Sequence, residues 1–279
     1  MYPFLDLHFI KIPMYGLCIA IGIVVAGVLS YLFCKKYKKD FNDFIIVISV
    51  LVFFGFIGAK LLYLLVSYPF KDLPKVVWNM LFNSKDKSMG SGFVFYGGVI
   101  LGVPAFFLAN KIAKCKNSTF LPEIAIDLPL IHGFGRIGCF CGGCCWGIPY
   151  EGPLALHYHN PITPVPADVG IFPVQLLEAF LEITFAVILI IRYSKNKPVK
   201  LIYYFTYYSI IRFALEYLRF DDARKFFWIF STSQWISIML FLGCITYIVV
   251  STVILKKKGV SPEISAKSES AEAAEKTEN

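Results

Sequence analysis

Apolar residues run along this chain in long blocks, without the strict alternation of a half-buried strand or the narrow stripe of a surface helix. Seven blocks stand out, at roughly 12–34, 44–67, 93–113, 119–138, 172–192, 200–219 and 235–255. Each approaches the ~20 residues that a helix needs to cross the hydrocarbon core of a bilayer. The pattern predicts an all-α polytopic membrane protein of about seven transmembrane helices. The fourth and sixth blocks are the most polar and the least like simple spans. A cleaved signal ahead of a soluble domain does not fit, because similar blocks recur to the end of the chain.

Charge orients these spans. "KKYKK" follows the first block, "KIAKCK" the third, "RYSKNKPVK" the fifth and "KKK" the seventh, fourteen basic residues that share one side if all seven blocks cross. The opposite side carries "FKDLPK", "SKDK", "DDARK" and a 139–171 loop with no lysine or arginine. Cytoplasmic loops collect Lys and Arg, so the N-terminus is expected outside and the C-terminus in the cytoplasm. Residues 1–258 read as a single transmembrane domain, and 259–279, polar and without aromatics, as a disordered cytoplasmic tail. The composition agrees, at 57% hydrophobic and 16% charged. A net charge of +8 is accounted for by attraction to anionic head groups, and nothing points to nucleic acid.

Candidate chemistry lies in the charges inside the spans, because ionisable groups are costly there and mark function by default. They are Lys60, Asp127, Arg136, Glu178, Arg212, Glu216 and Arg219. Arg212 and Glu216, four apart, share a helix face, as do Glu216 and Arg219 at three. An ion-pair ladder that locks helices together is one reading. An anion pocket is the other, because the cations outnumber the acids and guanidinium suits bidentate phosphate binding. Arg136 lies in "GFGRIGCFCGGCCWG", among glycines 133, 135, 138, 142, 143 and 147, which either admit a ligand close to the backbone or allow tight helix packing.

These residues carry a resemblance, running from about Tyr15 to Ser237, to the bacterial prolipoprotein diacylglyceryl transferases. "MYGL" resembles the family's tyrosine-glycine start of the first core helix, at Tyr15. "GAKLLY" is similar to G-x-R-x-x-Y, with Lys60 for arginine and Tyr63 retained. "FVFYGGVILG" is similar to the F-H-G-G segment, with Tyr96 in the histidine position before Gly97 and Gly98. "DLPLIHGFGRIGCF" resembles the approach to G-R-x-G-N-F-x-N-x-E-x-x-G, which places Gly135, Arg136 and Gly138. "FPVQLLEAFLE" resembles H-P-x-Q-L-Y-E through Pro173, Gln175 and Glu178. "YYSIIRFALEYLRFDD" resembles Y-G-x-x-R-x-x-x-E-x-x-R-x-x-D through Tyr208, Arg212, Glu216, Arg219 and Asp222. "STSQWIS" fits the serine-or-threonine, x, x, Gln before the last helix.

The resemblance implies transfer of a diacylglyceryl group from phosphatidylglycerol to the lipobox cysteine thiol of a preprolipoprotein, with release of glycerol phosphate. It implies a multi-pass protein of the bacterial plasma membrane that needs no metal or soluble cofactor. Arg136, Arg212 and Tyr96 are the expected catalytic groups. Tyr15, Lys60, Gly97, Gly98, Gly135, Gly138, Gln175, Glu178, Tyr208, Glu216 and Arg219 are the expected substrate-binding set. The signature also departs from the pattern. Cys139, Gly142 and Cys144 stand where the family has two asparagines and a glutamate, and Phe172 and Leu177 replace a histidine and a tyrosine. Tyr96 stands for the histidine often cast as general base, and an ordinary tyrosine, titrating near ~10, is a poor base. A family-fold protein that binds lipid or metal without lipidating is therefore the alternative.

Cys139, Cys141, Cys144 and Cys145, with His157 and His159 one loop later, are expected on the outer side, where disulfides persist. Packing or a disulfide in place of the lost amides, a metal site, and a redox thiol all remain open, since the spacing matches no familiar zinc pattern.

Overall fold

The computed structural model describes residues 3–6, 11–82, 95–158, 169–220, 226–227 and 229–257. The 259–279 tail and His159 lie outside them. Eight α-helices follow one another among the described residues: α1 (Met14–Lys36), α2 (Phe41–Ser67), α3 (Leu73–Phe82), α4 (Phe95–Ile112), α5 (Leu121–Gly142), α6 (Val174–Ser194), α7 (Leu201–Leu215) and α8 (Thr232–Lys257). Two short hairpins accompany them, β1 (Phe4–Asp6) with β2 (Lys11–Pro13), and β3 (Phe226–Phe227) with β4 (Phe230–Ser231). Seven helices match the seven apolar blocks, and α3, amphipathic and short, is an addition that block-reading passed over.

Among the described residues five helices are long and apolar enough to cross a membrane: α1, α2, α5, α6 and α8. The protein is a multi-pass, all-α membrane protein. At 15 residues α7 spans about 22 Å at ~1.5 Å per residue, short of a ~30 Å hydrocarbon core. The sixth block was expected to stay helical to 219. Instead the chain tightens into a 3-10 turn over Glu216–Leu218 and leaves the helix. Backbone pairing draws it away, through Ile148 N–H to the Leu218 carbonyl at 3.0 Å and Phe220 N–H to the Trp146 carbonyl at 3.2 Å. Arg219 therefore does not share a helix face with Glu216.

The chain divides into two compact units. One, residues 40–120, pairs α2 with α4. Gly58 and Gly97 meet backbone to backbone there: a Cβ on Gly58 would overlap the Gly97 carbonyl oxygen, and one on Gly97 would lie 2.6 Å from Leu62 Cβ. Without a hydrophobic drive in lipid, such small-residue contacts are what hold helices together.

The other unit packs α1 on α5, α5 on α6 and on α7, and α7 on α8. Its core has an apolar centre around Phe33, Ala125, Ile126 and Leu189. Polar ties run through the same interfaces. Ser30 Oγ donates to Asp127 Oδ2 at 2.8 Å. Lys39, one of the basic residues the sequence places on the cytoplasmic side, is part-buried against Glu123 at 2.7 Å, with the Tyr193 hydroxyl donating to the same carboxylate at 2.8 Å. An acid with zero exposure inside a membrane helix requires such a partner.

Overpacking a close helix contact costs about 1–3 kcal/mol or more. Gly58→Leu and Gly97→Leu are expected to lower the unfolding free energy of the detergent-solubilised protein by that order. Gly102→Ala, where an added Cβ meets nothing within 4 Å, is expected to leave it unchanged.

Candidate functional site

The site forms where α5 ends. The helix runs to Gly142, so Cys139 and Cys141 are helical and the following loop starts later than the 139 expected from sequence. Gly143, at φ 70°, closes the helix. Its N–H bonds the Phe140 carbonyl and the Cys144 N–H bonds the Cys139 carbonyl, each at 3.1 Å. These are the two bonds of a Schellman cap, which a glycine in the left-handed region makes without steric cost. Cys145 repeats the left-handed conformation at φ 56°, a strained choice for a side chain with a Cβ.

Together the two residues fold the chain back on itself. The Sγ atoms of Cys139, Cys144 and Cys145 come within 4.8 Å of one another. Gln175, at the start of α6 and fully buried, locks this turn: its Nε2 donates to the Cys144 carbonyl at 2.8 Å, and its Oε1 accepts from the Tyr158 hydroxyl at 3.1 Å. Cys141 is not one of the trio and interacts with Cys18 of α1. His157 is exposed and is not among the convergent ligands. All eight cysteines are free thiols.

Arg136 lies one helical turn before Cys139 and is 7% exposed. Its Nε is 2.8 Å from Glu178 Oε2, an ion-pair distance, without the alignment of a directional hydrogen bond. Its Nη1 reaches Cys139 Sγ at 3.7 Å. Its Nη2 is buried with no hydrogen-bond partner among the described residues. Arg212 on α7 repeats this arrangement. It pairs with Glu216 at 3.0 Å and donates to Ser233 Oγ of α8 at 3.1 Å, while its Nη1 is buried with no hydrogen-bond partner among the described residues. Both arginines lie within electrostatic reach of His132. Hydrogen bonds from the Cys139 and Cys144 thiols, then Arg219 and Arg136, draw the Cys145 thiol below its ordinary pKa against the opposing effect of burial. Burial pushes the Tyr158 phenol up.

Sequence reasoning missed two members of this site. Glu182, one turn after Glu178 on α6, is fully buried, and neither carboxylate oxygen has a hydrogen-bond partner among the described residues. His132, one turn before Arg136 on α5, stands between them, its Nε2 3.6 Å from Glu178 and its Nδ1 3.6 Å from Glu182. The Tyr204 hydroxyl lies 3.2 Å from Nδ1, and the Tyr208 ring packs edge-on at 5.1 Å. The signal was in the spacing: both lie at i±4 from a residue already singled out, on the same faces of apolar helices. Glu182 also removes the excess of cations over acids on which the anion reading first leaned.

Other expected residues take different places. A Cβ on Gly138 would lie 3.0 Å from the Tyr15 Cα. That glycine therefore packs α1 onto α5 and brings Tyr15 within electrostatic reach of Arg136 and the three thiols; it does not open a ligand space. Gly133 likewise packs on α6, 2.6 Å from Ile183 for an added Cβ, whereas Gly135 has its nearest neighbour at 3.8 Å. Gly97 serves the α2–α4 contact, and a Cβ on Gly98 would meet the Gly55 carbonyl at 3.0 Å. Lys60 extends over the Tyr63 ring at 5.2 Å within the same unit. Tyr96 belongs to α4, and its side chain lies outside the described set, as does Asp222.

A family model described as prolipoprotein diacylglyceryl transferase matches residues 3–250. The chain belongs to the prolipoprotein diacylglyceryl transferase family. Similar curated relatives are named phosphatidylglycerol–prolipoprotein diacylglyceryl transferase. One from Clostridium tetani is 32% identical over 239 residues, 84% of this chain and 90% of the relative. A second, from Clostridium perfringens and numbered 2, is 32% identical over 84% and 89%. A third, from Campylobacter jejuni, is 29% identical over 84% and 87%. Family membership fits a site whose two arginines keep an unspent donor each inside an apolar helical unit.

Removing one partner of a buried ion pair leaves the other charge uncompensated, typically at about 3–5 kcal/mol. Glu178→Ala is expected to destabilise the solubilised protein by that order. The double variant Arg136→Met with Glu178→Leu is expected to recover much of the loss in a thermal-unfolding cycle.

Proposed function

We propose that this protein transfers the diacylglyceryl group of phosphatidylglycerol to the lipobox cysteine thiol of preprolipoproteins, as a multi-pass enzyme of the bacterial plasma membrane. The observation that carries this reading is the pair of guanidinium groups, Arg136 and Arg212, each ion-paired with a glutamate yet keeping a buried N–H donor with no hydrogen-bond partner among the described residues. A buried donor without a partner costs about 1–3 kcal/mol, and a lipid phosphate supplies what both lack. Glu178 and Glu216 hold the two forks in place. Arg136 and Arg212 are then set to take the charge that develops on the phosphate as it leaves, which is where fixed dipoles and charges lower a barrier most. Tyr15, Gly135, Gln175 and Tyr208 line or brace the same end of the unit. Arg219, on the strand-like segment bridged to Gly147, adds a third cation.

In this reading all seven apolar segments cross, the short α7 completing its passage through the 3-10 turn and the chain to Phe220, with the N-terminus outside, the cysteine-bearing turn on the outer side and the C-terminus in the cytoplasm. A reporter fused after Lys258 is expected to read as cytoplasmic, and an external reading would move the site to the wrong face.

Lysine keeps the charge but loses the planar fork. Arg136→Lys and Arg212→Lys are expected to insert normally and to cut lipidation of a lipobox peptide by the purified protein at least ~100-fold, the scale of losing one transition-state donor. Near-normal transfer by Arg136→Gln would refute the phosphate role.

A further inference from the structure

The attacking thiol in this reaction belongs to the acceptor, so the proposed transfer leaves the three protein thiols beside Arg136 unused. They are nonetheless held together by specific means. Two left-handed residues, one of them a cysteine, turn the chain, and a buried Gln175 fixes the Cys144 carbonyl. Three sulfurs around one tetrahedral cation with metal–sulfur bonds of ~2.3 Å lie about 3.8 Å apart. The observed trio, within 4.8 Å of one another, is at most about 1 Å wider than that spacing. A disulfide would engage two of the three and strand the last. Cys141 is engaged elsewhere, with Cys18, so the convergence selects three of the four cysteines in the run. Three thiolates suit a soft or borderline d10 cation, and three protein ligands with an open fourth position describe a catalytic site more than a closed structural one.

We propose that Cys139, Cys144 and Cys145 bind one thiophilic cation of the zinc class, and that its fourth position takes the acceptor's thiol as a thiolate. This rests on the transfer reaction proposed above. Coordination releases the acceptor's proton to water, since a thiol that ligates such a metal is deprotonated outright. The metal-held sulfur then attacks the glycerol carbon bearing the phosphate. A sulfur–carbon bond forms, the carbon–oxygen bond to phosphate breaks, and its electron pair leaves on glycerol phosphate. Nothing is oxidised or reduced. Arg136 is placed for the leaving group, its Nη1 lying 3.7 Å from Cys139 Sγ. Three thiolates on a dication carry one net negative charge, which Arg136 and Arg219, both within electrostatic reach of Cys145, offset. The site also supplies the proton removal that Tyr96 is poorly suited to perform.

Cadmium titration of the chelator-stripped, detergent-solubilised protein, read by the ultraviolet sulfur-to-cadmium band, tests the site directly. One cadmium per chain with the intensity of three thiolates is expected. Cys139→Ser and Cys145→Ser should weaken binding at least tenfold and Cys141→Ser should not, with helical circular dichroism and gel filtration confirming that each variant is folded. No stoichiometric band from folded wild type, or equal dependence on Cys141, overturns the site. Lipidation of a lipobox peptide is measured in parallel on stripped and zinc-restored protein, and a loss on stripping that zinc reverses is expected. Transfer that is indifferent to stripping, with cadmium binding intact, overturns the acceptor-thiol role. Absence of transfer from zinc-loaded protein refutes the proposed reaction and with it that role, while the cadmium band still decides the site.

Discussion

A guanidinium in an apolar helical bundle is tolerable only against a carboxylate, and the Arg136–Glu178 pair sets what surrounds it. The pair ties α5 to α6 at 2.8 Å. It fixes the rotation of α5, and so determines which way Cys139 faces one turn later and His132 one turn earlier. Glycines at 133 and 138 let α6 and α1 approach closely enough for the contact to form. Arg212 and Glu216 repeat the arrangement on α7, with Ser233 of α8 as the third point. Within this unit, charge pairing and close backbone contact act together where lipid offers no hydrophobic drive between helices.

These pairs are structural and chemical at once. Each glutamate holds its arginine in place, yet each guanidinium keeps at least one buried donor without a hydrogen-bond partner among the described residues. A ladder meant only for stability would be expected to use those donors, because an unsatisfied buried N–H opposes folding. Membership of the diacylglyceryl transferase family supplies a phosphate-bearing lipid as the natural counterpart. The cysteine-bearing turn adjoins the same arginine, so the changed signature and the retained Arg136–Glu178 pair occupy one continuous site.

Much of the architecture was legible in the chain. Apolar blocks marked seven helices because a membrane span must be both long and apolar. In-span charges marked Arg136, Glu178, Arg212 and Glu216 because their cost makes each one informative. The i±4 neighbours His132 and Glu182 were legible too, but only once a helix face had been chosen. Arg219 was misplaced because the backbone pairing of 146–148 with 218–220 is nonlocal and overrides the helical period. Gly97 and Gly138 read as ligand contacts because a glycine in sequence is silent on whether its open side meets a ligand or a neighbouring helix.

The sequence by itself determined the class of protein, its helices and the kinds of charge they bury, since these follow from composition and from the free energy of polar groups in hydrocarbon. The tertiary structure alone decided which groups meet. It paired Arg136 with Glu178 across two helices, set His132 between two acids, and gathered Cys139, Cys144 and Cys145 while sending Cys141 toward Cys18. Those choices depend on helix rotation and on two left-handed residues, Gly143 and Cys145. Both are fixed by contacts between segments distant in the chain, which no local pattern encodes.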